Sequence, residues 1–167
     1  MKNILVAYAS KSGTAKEAAE KIAAELPYTE LVDLAASSDT APAVKTPLLE
    51  NYDAAIIGGG VRVGLVHNET KRFIDANKEE LKTLPSAYFI TNCFPESVDE
   101  IINKMLPANL KDSALFAGTL GGRLDISSLR GLDKVIAKMV SKAVDEEKPV
   151  FSELDEQAIQ TLISKFS

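Results

Sequence analysis

Ser10, Ser12 and Thr14 place three short hydroxyl side chains within five residues, around the lone glycine Gly13 and next to Lys11. This combination suits binding of a phosphate. Gly13 lets the backbone bend close to a ligand, the hydroxyls donate hydrogen bonds, and the residues that follow open a helix. A helix start leaves about four backbone N–H groups without intrahelical partners and carries roughly half a positive charge. A phosphate can therefore be held by the backbone amides of Lys11 to Ala15 without a dedicated cationic side chain. No Gly-Lys-Ser/Thr follows, so the turn is not a P-loop, and Gly-x-Gly-x-x-Gly is absent. The bland alternative is an ordinary strand-to-helix turn with Ser12 or Thr14 as N-cap.

Two further stretches carry candidate chemistry. Gly58-Gly59-Gly60-Val61-Arg62-Val63-Gly64-Leu65-Val66-His67-Asn68 combines consecutive glycines, aliphatic surface, one cation and the single histidine. Glycines allow backbone groups to approach a planar ligand, and Arg62 suits an anionic cofactor or substrate. A flexible irregular loop is the alternative. His67 is either a proton donor or phosphate contact, or a surface histidine near a helix start. The second stretch, Asn92-Cys93-Phe94-Pro95-Glu96-Ser97, holds the single cysteine, which is either a cofactor contact or a small buried hydrophobe. Phe94 is either a stacking ring or a core residue starting the next helix.

These stretches need elements to position them. The apolar run Ile4 to Ala9 predicts a buried strand, and Ala15, Ala18, Ala19, Ile22, Ala23 and Leu26 follow at helical spacing. Leu31–Leu34, Asp53–Gly58, Ser86–Thr91 and Ala114–Gly118 predict four more strands. Helices are predicted over Asn68–Leu81 with Asn68 as N-cap, Val98–Met105, Leu129–Ala143 and Asp155–Phe166. Residues 35–47 read as loop. Alternating strands and helices imply a parallel sheet covered on both faces, with ligands beyond the carboxyl ends of the strands. The turn at Ser10, the glycine loop, the Asn92 loop and the stretch after Gly118 then meet at one edge.

Tyr8-Ala9-Ser10-Lys11-Ser12-Gly13-Thr14-Ala15 resembles the phosphate loop of flavodoxins, Thr/Ser-x-Thr/Ser-Gly-x-Thr, with Ala15 where the family usually has its final threonine. The resemblance implies an α/β flavodoxin-like three-layer sandwich: one domain over residues 1–167, and a five-stranded parallel sheet in the order 2-1-3-4-5. It implies FMN as cofactor, with phosphate bound by Ser10, Lys11, Ser12, Gly13, Thr14 and Ala15. Gly59, Gly60, Val61 and Arg62 would border the flavin ring on one side, and Asn92, Cys93 and Phe94 on the other. Tyr52-Asp53-Ala54-Ala55-Ile56-Ile57-Gly58, Arg62-Val63-Gly64-Leu65-Val66-His67 and Pro85-Ser86-Ala87-Tyr88-Phe89 are similar to the flavodoxin-like menaquinone-dependent protoporphyrinogen dehydrogenases. There Val63 and Val66 replace aromatic residues.

Three functions follow: an FMN-binding electron carrier, a quinone-linked dehydrogenase of that type, and a domain that kept the fold and lost the cofactor. The partner is accordingly a redox protein or a quinone. The 167 residues are 46% hydrophobic and 26% charged, as in an ordinary globular domain, and the formal net charge of −5 argues against nucleic acid. The single cysteine excludes an internal disulfide and fits the cytoplasm. With one histidine it also argues against a structural zinc site. Arg130, Lys134, Lys138 and Lys142 form a basic stripe along residues 129–143. It is either a contact for an anionic membrane surface or a solvated face.

Overall fold

In the computed structural model, residues 2–36, 46–123, 138, 142 and 151–167 are described. Five parallel strands form the central sheet: β1 (Ile4–Ala9), β2 (Thr29–Asp33), β3 (Ala54–Arg62), β5 (Ser86–Thr91) and β6 (Phe116–Thr119). They lie in the order β2-β1-β3-β5-β6, and a two-residue strand, β4 (Leu65–Val66), folds back antiparallel on the end of β3. With β4 set aside, this is the expected 2-1-3-4-5 order.

Alternation along the strands builds the layers. Ile4, Val6 and Tyr8 of β1, Ala54 and Ile56 of β3, and Ala87 and Phe89 of β5 face α1 (Thr14–Glu25) and α6 (Glu156–Ser164). Leu5, Ala7, Ala55, Ile57, Tyr88 and Ile90 face the other way. They pack on α2 (Asn68–Ala76), α3 (Lys78–Leu81), α4 (Val98–Met105) and α5 (Ala108–Ser113). Because both faces of the sheet are covered, β1 and β5 are buried at every residue, which is why they read as continuous apolar runs.

β2 begins two residues earlier than expected, at Thr29, and β6 two residues later, at Phe116, and four further details differ from the sequence expectation. The helix expected over 68–81 divides at Asn77, whose backbone N–H bonds both Phe73 O and Ile74 O and whose side-chain amide donates to Phe73 O at 2.8 Å. A side chain competing for the carbonyls of its own helix in this way ends α2. The N-cap of α2 is His67 and not Asn68. β3 runs four residues beyond Gly58, and α5 follows Pro107 where no helix was expected. The helix expected over 129–143 lies outside the described residues; Lys138 and Lys142 are exposed. Among the described residues no helix is long and apolar enough to cross a membrane.

Candidate functional site at the carboxyl edge of the sheet

The strand register brings the candidate loops to one edge. Ala9 pairs with Gly59, Gly59 with Ile90, and Ile90 with Thr119. The residues immediately beyond this row are Ser10, Gly60, Thr91 and Leu120, so the hydroxyl turn, the glycine hairpin, the Asn92 loop and the stretch after β6 leave the sheet side by side.

Gly13 is the N-cap of α1 at φ 90°, ψ −9°, and no side chain caps this helix. Neither Ser12 nor Thr14 takes the ordinary capping role. Instead the Gly13 N–H donates to Ser10 Oγ at 3.0 Å, which ties the turn to the end of β1. The Ser12 and Thr14 hydroxyls lie 3.4 Å apart. Lys11, Ser12 and Gly13 are exposed, and a Cβ built on Gly13 meets nothing within 4 Å. The left-handed backbone alone selects glycine here. Ala15 is fully buried in the cluster between the sheet and α1. An open helix start flanked by two hydroxyls and the Lys11 ammonium fits a phosphate monoester.

The glycines after Ile57 have separate causes. A Cβ at Gly58 would lie 2.3 Å from the Phe89 ring, and one at Gly59 would lie 2.4 Å from Thr70 Oγ1. Both are therefore required by packing within the fold. Gly60 meets only Thr91 Oγ1, at 3.8 Å, and has room on its side-chain face. Val61 and Arg62 then pair with Val66 and Leu65, leaving Val63-Gly64 as a two-residue hairpin turn. Both turn residues have positive φ, 51° for Val63 and 72° for Gly64, as a type I′ turn requires. A β-branched residue in that region is strained. Val63 and Leu65 are both more than half exposed, at 55% and 56%. The tip of the hairpin thus offers exposed aliphatic surface, with Val66 buried beneath it.

Asn92 is committed to the protein itself. Its Nδ2 donates to Phe94 O at 2.7 Å and Ser97 Oγ at 3.4 Å, while its Oδ1 accepts from Thr119 Oγ1 at 2.6 Å. Its backbone N–H donates to Gly121 O at 3.0 Å. Asn92 thus knots the loops after β5 and β6 together. Cys93 is half-buried, and burial pushes its thiol above the usual range, away from the reactive thiolate. Phe94 is half-buried at the mouth of the same loop.

Sequence reasoning missed two contributors. Thr70, fully buried on α2, donates to Gly58 O at 2.9 Å and fixes the helix against β3. Residues 151–155 return to this edge: Phe151 N–H donates to Cys93 O at 2.8 Å, Gly122 N–H to Glu153 O at 3.1 Å, and Gly121 bridges Leu154. Neither has a local signal, because each contact joins one element or loop to another.

The flavodoxin domain family matches residues 5–150. The chain belongs to that family. It is 25% identical over 146 residues to the protoporphyrinogen IX dehydrogenase (quinone) of Escherichia coli K12, a match that covers 83% of this chain and 78% of that protein. Among solved structures, an oxidoreductase from Corynebacterium diphtheriae superposes with a TM-score of 0.51 at 12% identity, covering 99% of this chain and 97% of that one. The rubredoxin oxygen:oxidoreductase of Desulfovibrio gigas gives 0.56 at 11% identity, covering 87% of this chain and 37% of that one. At these identities the two structures establish the flavodoxin-like fold and nothing finer.

Proposed function

We propose that this flavodoxin-domain protein binds FMN non-covalently and carries electrons between redox partners. The observation that carries this reading is the uncapped start of α1, where left-handed Gly13 and the Ser12 and Thr14 hydroxyls leave a cradle for a phosphate. The family supplies the fold in which such a cradle stands at the right edge of the sheet. Bound FMN supplies the electron chemistry, and the protein sets its position and potential.

The chain's own residues have distinct tasks. The backbone amides of Lys11, Ser12, Thr14 and Ala15, with the Ser12 and Thr14 hydroxyls, hold the phosphate, while Ser10 fixes the turn by accepting from the Gly13 N–H. Gly60 gives backbone access to one side of the ring. Val61, Arg62 and the aliphatic hairpin tip exclude water there. Phe94 and Cys93 border the other side, and Asn92 keeps their loop in place. Ala15 supplies no hydroxyl, so the phosphate relies more on backbone donors.

A second reading is favoured by the match to the Escherichia coli enzyme: a dehydrogenase of the protoporphyrinogen type that passes electrons to a quinone. It brings with it contact between the basic stripe of residues 129–143 and an anionic membrane surface. A cofactor-free binding module is the remaining alternative.

The deciding experiment is the visible spectrum of the protein after mixing with excess FMN and desalting. A retained flavin band that is lost in Gly13→Asp supports the carrier reading. Quinone-dependent porphyrinogen oxidation by the loaded protein, with sedimentation on anionic vesicles, moves it to the dehydrogenase. A colourless protein that leaves FMN fluorescence unquenched before desalting overturns both.

A further inference from the structure

His67 is the single histidine of the chain, and the fold holds it where β4 meets α2. Its N–H donates to Gly60 O at 2.9 Å, its carbonyl accepts from Lys71 N–H at 3.2 Å, and its Nδ1 accepts from Glu69 N–H at 3.2 Å. The last bond decides the chemistry of the ring. An Nδ1 that accepts carries no proton, so the neutral imidazole keeps its proton on Nε2. Gly60 follows Gly59, the strand partner of Ala9, and Ala9 precedes the hydroxyl turn. The charges acting on the ring are Lys11 from that turn, Glu69 from the first turn of α2, and Asp33 from the end of β2. Arg62 stands on the hairpin strand leading to it.

We propose that His67 belongs to the phosphate-recognition site, and that a phosphate monoester settling on the Ser10–Ala15 turn binds together with a proton taken up by His67. This rests on the FMN reading of the same turn. Without an anion, burial and the Lys11 ammonium both disfavour the imidazolium, holding the ring below the usual histidine range. Protonation also removes the acceptor that caps α2. An anion on the turn offsets Lys11 and adds its own attraction, while Glu69 and Asp33 already favour the charged ring. Anion binding and proton uptake are then reciprocal by linkage. Affinity for a phosphate-bearing flavin rises as pH falls, by a factor approaching about tenfold per pH unit between the free and bound pKa values of one linked proton.

Fluorescence-quenching titrations with FMN and with riboflavin, between about pH 5.5 and 8, test this in the wild type and in His67→Asn. Asparagine retains a capping oxygen and does not titrate. The ionisation of the phosphate itself is common to both proteins, so the difference between them isolates His67. The expected result is a wild-type advantage for FMN that grows as pH falls and is absent for riboflavin. Equal pH slopes in the two proteins overturn the inference while leaving FMN binding intact. An NMR titration of the lone imidazole in wild-type protein, with and without inorganic phosphate, is independent of the variant's folding. An upward shift of its pKa with phosphate supports the proposal, and no shift overturns it. A shift with phosphate in a protein that binds no flavin sinks the FMN reading and leaves His67 as part of an anion site.

Discussion

Thr70 Oγ1 stands 2.4 Å from the point where a β-carbon on residue 59 would lie, and from there it donates to Gly58 O at 2.9 Å. One hydroxyl thus satisfies a strand carbonyl and occupies the place of the missing side chain. Gly59→Ala is expected to destabilise the protein by about 1–3 kcal/mol through overpacking against a buried helix. Thr70→Ala alone is expected to cost about 1 kcal/mol, because the buried bond from the hydroxyl to Gly58 O is lost. Chemical denaturation of both single variants and the double variant checks the relationship. The double variant should be more stable than the sum of the single losses predicts, since the alanine methyl fills space the hydroxyl has left.

Val63 is held at φ 51° in the hairpin turn. Val63→Gly is expected to stabilise the free protein by about 1 kcal/mol, because the left-handed region penalises a side chain by roughly 1–2 kcal/mol and the added backbone freedom of glycine returns part of this. The same change removes apolar surface from the hairpin tip, so FMN affinity is expected to fall. Thermal melting and flavin titration moving in opposite directions would mark strain kept for binding. A variant that gains both would make Val63 only a poor turn residue.

Asn92 and Thr119 join the loops after β5 and β6 through a 2.6 Å bond. Asn92→Ala is expected to cost about 1–3 kcal/mol, since the side-chain bonds that tie Phe94 O, Ser97 Oγ and Thr119 Oγ1 together through one buried amide are lost. Thr119→Val removes one end of the knot and also the acceptor for Gly121 N–H at 3.1 Å. Hydrogen exchange should show faster opening of residues 92–97 and 119–122 in either variant, with β1 unchanged. Uniform loss of protection across the sheet would deny the knot its local role.

Tyr52 donates to Glu30 Oε2 at 2.7 Å, and burial followed by the bond to that carboxylate pushes its phenol up to about 12. The folded pKa lies above the unfolded value of about 10. The folded protein therefore keeps a proton that the unfolded chain releases, so the contribution of Tyr52 is fully present below about pH 10 and is lost as pH rises through about 12. Ultraviolet titration should show this late phenol, and Tyr52→Phe should remove that step. Stability of Tyr52→Phe should then fall less steeply than wild type across this window.

The sequence is most legible where punctuation is local. β5 and α4 begin and end at the expected residues, because Pro85 lies just before the strand and Pro107 just after the helix. The three-layer order is legible because β1 and β5 are apolar at nearly every position, which only a doubly covered sheet requires. The glycine stretch is less so. Gly58 to Gly60 look like the end of a strand, yet Phe89 and Thr70 fill the space beside them and the strand continues to Arg62. The hairpin turn is hidden because valine stands where asparagine or glycine would announce it. The uncapped α1 can be anticipated from hydroxyls around Gly13, but their arrangement cannot: Ser10, not Ser12 or Thr14, bonds the turn. The bond from Phe151 to Cys93 leaves no trace in either segment, since the partners lie far apart in the chain.

The packing of α1 against α6 sets an order of events during synthesis. Lys21 and Glu156 pair across 135 residues, and Ala18 and Ile22 share a cluster with Ile159 and Leu162. At a translation rate of about 5–20 residues per second, α1 emerges on the order of ten seconds before its partner helix. For that interval one face of the first helix is without its cover, while β1 can pair with β2 and β3. A chaperone that engages the nascent chain would find its apolar target on α1, and the ribosome must release the region of Ile159 before that target closes.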